Sequence, residues 1–222
     1  MARRRRDGSG IRAGLSGAVL RGDRMKADAV PAIEPAHNEV RPYIIRTYDR
    51  WIILVLVLAI GWVLFRPLFA FSVYYRGVSY ERMLRLTTAE RYYRRSTAVY
   101  PKIPQGWQAW GELYLMHASG NAKDADEAVK IFSQGLALNP TAAAIAFDLG
   151  RTQYARKDFK AARVAFEESA RLAPNDMFSW DFAAWSSLHS GDTPRARTYW
   201  HKVLKLDPGN EPARRALNQY GS

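Results

Sequence analysis

The chain has 222 residues, 48% of them hydrophobic, and a formal net charge of +12, which bounds it to one modest domain plus accessory segments. It contains no cysteine, so disulfides, thiolate metal sites and cysteine nucleophiles are excluded; that absence suits an oxidising compartment without proving one. Residues 1–50 hold 11 Lys and Arg against 6 Asp and Glu, and residues 76–222 hold 21 against 15; charge spread in this way over helix faces serves solubility first.

Residues 1–42 are rich in Gly, Ala, Arg and acidic residues and carry no apolar period, so a disordered basic tail is expected. Its run Arg3, Arg4, Arg5, Arg6 is a topology signal or solvated tail, with anionic lipid as a further partner. No aromatic residue lies among residues 1–24, and nucleic acid is therefore not expected as a partner. Met25 offers an alternative start. Residues 43–75 read as a transmembrane helix and its flanks. Trp51–Phe65 is an uncharged, mostly apolar run of 15 residues, covering about 22 Å as a helix. With Arg66 snorkelling to an interface, residues 51–75 would cross the roughly 30 Å of hydrocarbon. A run this short also fits a buried helix of a soluble domain. Tyr43, Tyr48 and Trp51 on one side, and Phe71, Tyr74 and Tyr75 on the other, have the placement of interfacial aromatic belts.

Residues 76–106 are expected to form juxtamembrane helices. Thr87–Glu90 reads as a capping box. Ala89, Tyr93, Val99 and Pro101 are spaced 12, 8 and 2 residues ahead of the proline. The same spacing returns three times over residues 107–210. Pro140, Pro174 and Pro208 follow one another at intervals of 34 residues, each preceded by an alanine (Ala128, Ala162, Ala196), an aromatic (Phe132, Phe166, Trp200) and a leucine (Leu138, Leu172, Leu206) in fixed phase. The alanine marks a close helix crossing. The aromatic four residues later shares its face and fills the seam. The proline ends the second helix of each unit. First helices carry Phe147, Leu149, Gly150 and Tyr154, then Trp180, Ala183, Ala184 and Leu188. In the earliest clear unit Trp110, Leu113 and Tyr114 fit; Tyr114 is expected to replace the small crossing residue, with about two extra residues in a turn at 119–126. Residues 211–222 read as a C-terminal capping helix.

This pattern resembles the tetratricopeptide repeat, a pair of antiparallel helices in each unit. The resemblance implies an all-α, helix-pair solenoid of three clear repeats plus a degenerate first one, behind a single transmembrane helix. It implies a concave groove lined by first helices, here Leu115, Phe147, Arg151, Tyr154, Phe178, Asp181, Trp185 and His189, that takes a protein or peptide partner. An aromatic groove with one cation and one anion suits an extended segment and departs from the basic-and-asparagine clamp of chaperone-binding members. Several of these aromatics also fit core positions between units. The resemblance further implies a membrane-anchored scaffold of a bacterial envelope assembly, in protein export or folding, cytochrome maturation, or polysaccharide and cell-wall machinery. A cytoplasmic-facing adaptor is the alternative.

No catalytic constellation, cofactor motif or metal site is read from the chain. His37, His117, His189 and His201 lack metal-ligand spacing, and no phosphate-cradling glycine loop occurs. The number of basic residues in the tail places the amino terminus inside and the repeats outside an inner membrane. Close to the span the bias reverses, through Arg76, Arg82 and Arg85.

Overall fold

The first unit begins within a helix that is mostly apolar. In the computed structural model, which describes residues 47–117 and 121–220, α1 spans Thr47–Arg82. The tail of residues 1–42 with Arg3–Arg6 and Met25, the belt residue Tyr43, and residues 118–120 lie outside the described residues. Eight further helices follow among the described residues: α2 Leu86–Val99, α3 Pro104–His117, α4 Ala122–Leu138, α5 Ala143–Ala155, α6 Phe159–Leu172, α7 Met177–His189, α8 Thr193–Leu206 and α9 Glu211–Tyr220. They pack as successive pairs, α1 with α2, α3 with α4, α5 with α6, α7 with α8, and α9 closes on α8. Each helix touches its neighbours in sequence, and α3 also reaches α5. This is the nearest-neighbour stacking of a solenoid.

One packing device recurs. A Cβ added to Gly150 would lie 2.7 Å from the Phe166 ring, and one added to Gly77 would lie 2.6 Å from the Tyr93 ring. Gly111 is pressed against Phe132 in the same way. Ala184 and Trp200 take these places in the last pair, and both are fully buried. A first helix thus gives up a side chain so that an aromatic ring of the second helix can lie on its backbone. Ala89, Ala128, Ala162 and Ala196, all fully buried, keep the same pairs close.

The ends of the pairs are fixed locally. Leu84, Lys157 and Gly191 adopt positive φ of 57°, 61° and 84°, each seven residues after Gly77, Gly150 and Ala184. This left-handed residue reverses the chain between the two helices. Asp158 and Asp192 follow as N-caps, accepting from the N–H groups of Ala161 and Arg195. Between pairs, Trp107 and Trp180 donate their indole N–H to the carbonyls of Pro101 and Pro174, at 2.8 and 3.0 Å. A tryptophan early in a first helix therefore ties its unit to the proline that ended the unit before.

Three local expectations are corrected. Gly111, not Tyr114, occupies the small crossing position of the α3–α4 pair. Gly111 and Phe132 are 21 residues apart, against 16 for Gly150 and Phe166, so the insertion is five residues rather than about two. Part of it extends α4, which has 17 residues where α6 and α8 have 14. Asn121 caps that longer helix by accepting from Lys123 N–H. At α2 the N-cap is Arg85, with no side-chain cap; Glu90 instead accepts from the Tyr114 hydroxyl of the next pair at 2.8 Å.

Candidate functional site

The residues expected to line a groove fall into three groups, with Leu115 apart from them. Tyr154, Trp185 and His189 come together at the late ends of α5 and α7. The Tyr154 hydroxyl lies 3.3 Å from His189 Nδ1, which also sits 2.7 Å from the Trp185 carbonyl oxygen. Phe159 stacks on the imidazole with ring centroids 4.8 Å apart. Trp185 meets Trp200 edge-on at 5.2 Å, so one side of its ring belongs to the seam and the other is partly open.

Phe147 and Phe178 share a recess of about 460 Å³ with Ala143, Ala144, Ala173 and Asp176. Phe178 is 59% exposed. It begins α7, which Asp176 caps by accepting from the N–H groups of Phe178 and Ser179. Phe147 packs against Phe166 and Phe182 at 5.4 and 5.5 Å, which makes it both a wall of the recess and a core residue. Leu115 is drawn into the α3–α4 cluster around Trp107 and Phe132.

Arg151 and Asp181 are engaged within the protein. Arg151 Nη1 donates to Asp148 Oδ1 at 3.0 Å. Asp148, whose side chain is 4% exposed, also accepts from Gln108 Nε2 at 3.0 Å, and Gln108 donates to Glu112 at 3.2 Å. Gln108, Glu112 and Asp148 form a polar link that the sequence pattern did not single out. Their link crosses from α3 to α5, and only the stacking of pairs creates it. Burial pushes the Glu112 carboxyl above its ordinary range, and the neighbouring Asp148 charge adds to this. Burial also raises Asp148, against the opposing pull of Arg151. Asp181 accepts from Trp200 Nε1 at 3.1 Å; burial raises its carboxyl, and the indole hydrogen bond opposes the rise. Tyr154 is raised by burial and then by Asp181.

These groups present aromatic surface and fixed acceptors. No cluster of metal-ligating side chains occurs among the described residues. His201 is exposed on α8.

Comparison with known proteins follows this geometry. Residues 121–181 match the model of the tetratricopeptide repeat family. Among solved structures, the chain is similar to the crystal structure of MamA, with 16% identity and a TM-score of 0.57 over 65% of this chain and 81% of that one. It is similar to pilF of Pseudomonas aeruginosa, with 16% identity and a TM-score of 0.57 over 70% of this chain and 68% of that one. It is also similar to the APC/C hetero-tetramer Cut9-Hcn1, with 21% identity and a TM-score of 0.55 over 69% of this chain and 30% of that one. No curated protein matches the sequence. At these identities the likeness is one of fold. The described residues form an all-helical, tetratricopeptide-like solenoid, and among them one helix is long and apolar enough to cross a membrane.

Proposed function

We propose that the chain is a single-pass membrane protein whose solenoid is a protein-interaction scaffold of an envelope assembly, not an enzyme. The observation that carries this reading is the division of α1 into two halves. From Trp51 to Phe65 its large apolar side chains are exposed, whereas Ala70 and Val73 are 0% and 4% exposed beneath α2. An exposed apolar half has no stable place in water, and a half packed as a repeat helix needs the rest of the solenoid. At 36 residues α1 is about 54 Å long, more than the roughly 30 Å of hydrocarbon. One helix thus serves as anchor and as first repeat, with Pro67 inside it and no loop between the two halves.

The binding surface in this reading is the first-helix face. The open ring of Phe178, the outer side of Trp185 and the Tyr154–His189 pair supply area for an extended protein segment. The half-buried Gln108 and Glu112 supply acceptors for its N–H groups, and Asp148 behind them is engaged with Arg151 and Gln108. The amino terminus lies inside and the repeats outside. Arg76, Arg82 and Arg85, which follow the span, favour the second reading, a cytoplasmic-facing adaptor. A reporter that is active only outside the cytoplasm, fused after Ser222, separates the two. The groove is tested by photo-crosslinking in intact cells. A crosslinker at Phe178 or Trp185 is expected to capture a partner, and one at Val164, an exposed apolar residue of the second helix α6, is not. Equal capture at all three positions removes the groove assignment.

A further inference from the structure

The foot of the first helix pair carries charge that the protein itself does not neutralise. α2 runs back along α1 until its end meets Arg66, whose Nε donates to the Val99 carbonyl. Arg66 lies about one turn before Ala70, the first buried residue of α1, with Leu68 and Phe69 between them still exposed. Arg94 and Arg95 lie about one helical turn, roughly 6 Å, before Val99, and Lys102 follows three residues after it. All three are exposed. A head-group layer is about 5–8 Å thick on each side of the hydrocarbon, so these cations fall within side-chain reach of it.

Among the described residues, their lack of a carboxylate partner sets them apart from most arginines of the later helix pairs, although Lys160, Lys205 and Arg215 share it. Arg151, Arg163, Arg171, Arg195 and Arg214 each bridge to a carboxylate on their own helix or its cap. Arg91, Arg94, Arg95 and Lys102 form no such bridge among the described residues. The one carboxylate on their helix, Glu90, already accepts from Tyr114. With Thr87, Glu90 and Ala98, the α2 arginines border an open recess of about 420 Å³, space enough for a phosphate group among the guanidinium groups.

We propose that Arg94, Arg95 and Lys102 hold the phosphates of anionic phospholipids in the leaflet that α1 enters. The proposal rests on the membrane-spanning reading of α1. Its logic is that of a basic patch held at a membrane surface, with one difference. The patch here is rigid, because α1 and α2 share the packing of Gly77 against Tyr93. Lipid binding would then fix the depth of the first unit, and with it the presentation of the whole groove.

The test uses the full chain in bilayers doped with spin-labelled phosphatidylglycerol or phosphatidylcholine. The measurement is the fraction of each label that is motionally restricted at the protein. The wild type is expected to prefer phosphatidylglycerol by about fivefold or more at low salt, and to lose much of that preference at high salt. The triple variant Arg94→Gln/Arg95→Gln/Lys102→Gln is expected to approach parity while keeping its restricted phosphatidylcholine. The charge-preserving variant Arg94→Lys/Arg95→Lys/Lys102→Arg is expected to keep the preference. Retention of the preference by the triple variant, or its loss in the charge-preserving one, overturns the lipid assignment. Restricted phosphatidylcholine without any preference in the wild type also overturns it, and leaves the anchor standing. No restricted component with either lipid removes the anchor as well.

Discussion

The first helix pair and the third are built on one interior and two different exteriors. In both, a glycine backbone supports an aromatic ring, Gly77 beneath Tyr93 and Gly150 beneath Phe166, at the same separation of 16 residues. Outside, they diverge. In the α5–α6 pair the arginines close onto carboxylates, as in Arg151–Asp148 and Arg171–Glu168. On α2 the arginines remain open, and half of the partner helix α1 is apolar and exposed. A helix-pair unit thus specifies its fold through a few seam residues and leaves its outer surface free to meet water, protein or lipid. The ring seats themselves differ in polarity. Phe166 is wholly apolar, whereas the Tyr93 hydroxyl donates to Glu81, and burial with that bond raises the phenol far above its ordinary value.

The largest effects should come from removing the rings. Phe166→Ala is expected to cost about 3–5 kcal/mol, read from thermal unfolding of the full chain in detergent. Tyr93→Ala should cost a comparable amount and additionally leave Glu81 without its donor. If the Tyr93 variant unfolds no earlier than wild type, α1 and α2 are not a solenoid unit and the comparison fails. Next come Gly77→Ala and Gly150→Ala. Helix propensity alone favours alanine by about 1 kcal/mol. A Cβ at 2.6–2.7 Å from a ring nevertheless has to displace that ring, so a net loss of about 1–3 kcal/mol is expected at both positions. Equal losses would sharpen the comparison. A loss at Gly150 alone would mean that the Tyr93 ring can move where Phe166 cannot.

The second-helix pattern was legible because alanine, aromatic, leucine and proline return in one phase. Counted back from Tyr93, the 16-residue separation of Gly150 and Phe166 falls on Gly77 inside α1. Gly111 was hidden by the five-residue insertion, which moved it out of the phase that identifies Gly150. The groove was legible only in part. Phe178 is exposed, Trp185 is half-buried against Trp200, and Phe147 is shared with the core. Asp181 is held by Trp200, a contact between α7 and α8 that depends on ring orientation. Gln108, Glu112 and Asp148 meet 40 residues apart across the stack, and no periodic rule marks such a set. The Arg66 contact with Val99 is equally long-range; composition located the apolar run but not the level at which α2 stops.

A smaller effect concerns the carboxyls of that polar set, which have no counterpart in the first pair. Glu112 and Asp148 are raised in the fold, so the folded state holds their protons more tightly than the unfolded chain does. Their contribution is fully favourable below the ordinary carboxyl range and declines as pH rises through the raised values. Glu112→Gln removes one charge while keeping an acceptor for Gln108. It is expected to raise Tm at pH 7 and to have little effect at pH 4, as scanned by calorimetry at both values. A gain of the same size at both would assign the effect to something other than ionisation.

The smallest prediction uses the turn that the first and third pairs share. Leu84 and Lys157 occupy the left-handed conformation that Gly191 takes in the last pair. Both are exposed, Leu84 at 85%, so their side chains contribute little packing to offset the strain. The strain is about 1–2 kcal/mol for a residue with a Cβ, and glycine would return about 0.5–1 kcal/mol of it as chain entropy in the unfolded state. Leu84→Gly and Lys157→Gly should therefore each stabilise by roughly 0.5–1 kcal/mol, with Gly191→Ala moving in the opposite direction. The measurement is denaturant unfolding of the three variants at constant m. A gain at Lys157 without one at Leu84 would locate the difference between the pairs in the turn of the first unit, where α1 hands over to α2, and would mean that the membrane half of α1 constrains that turn more than its own backbone strain does.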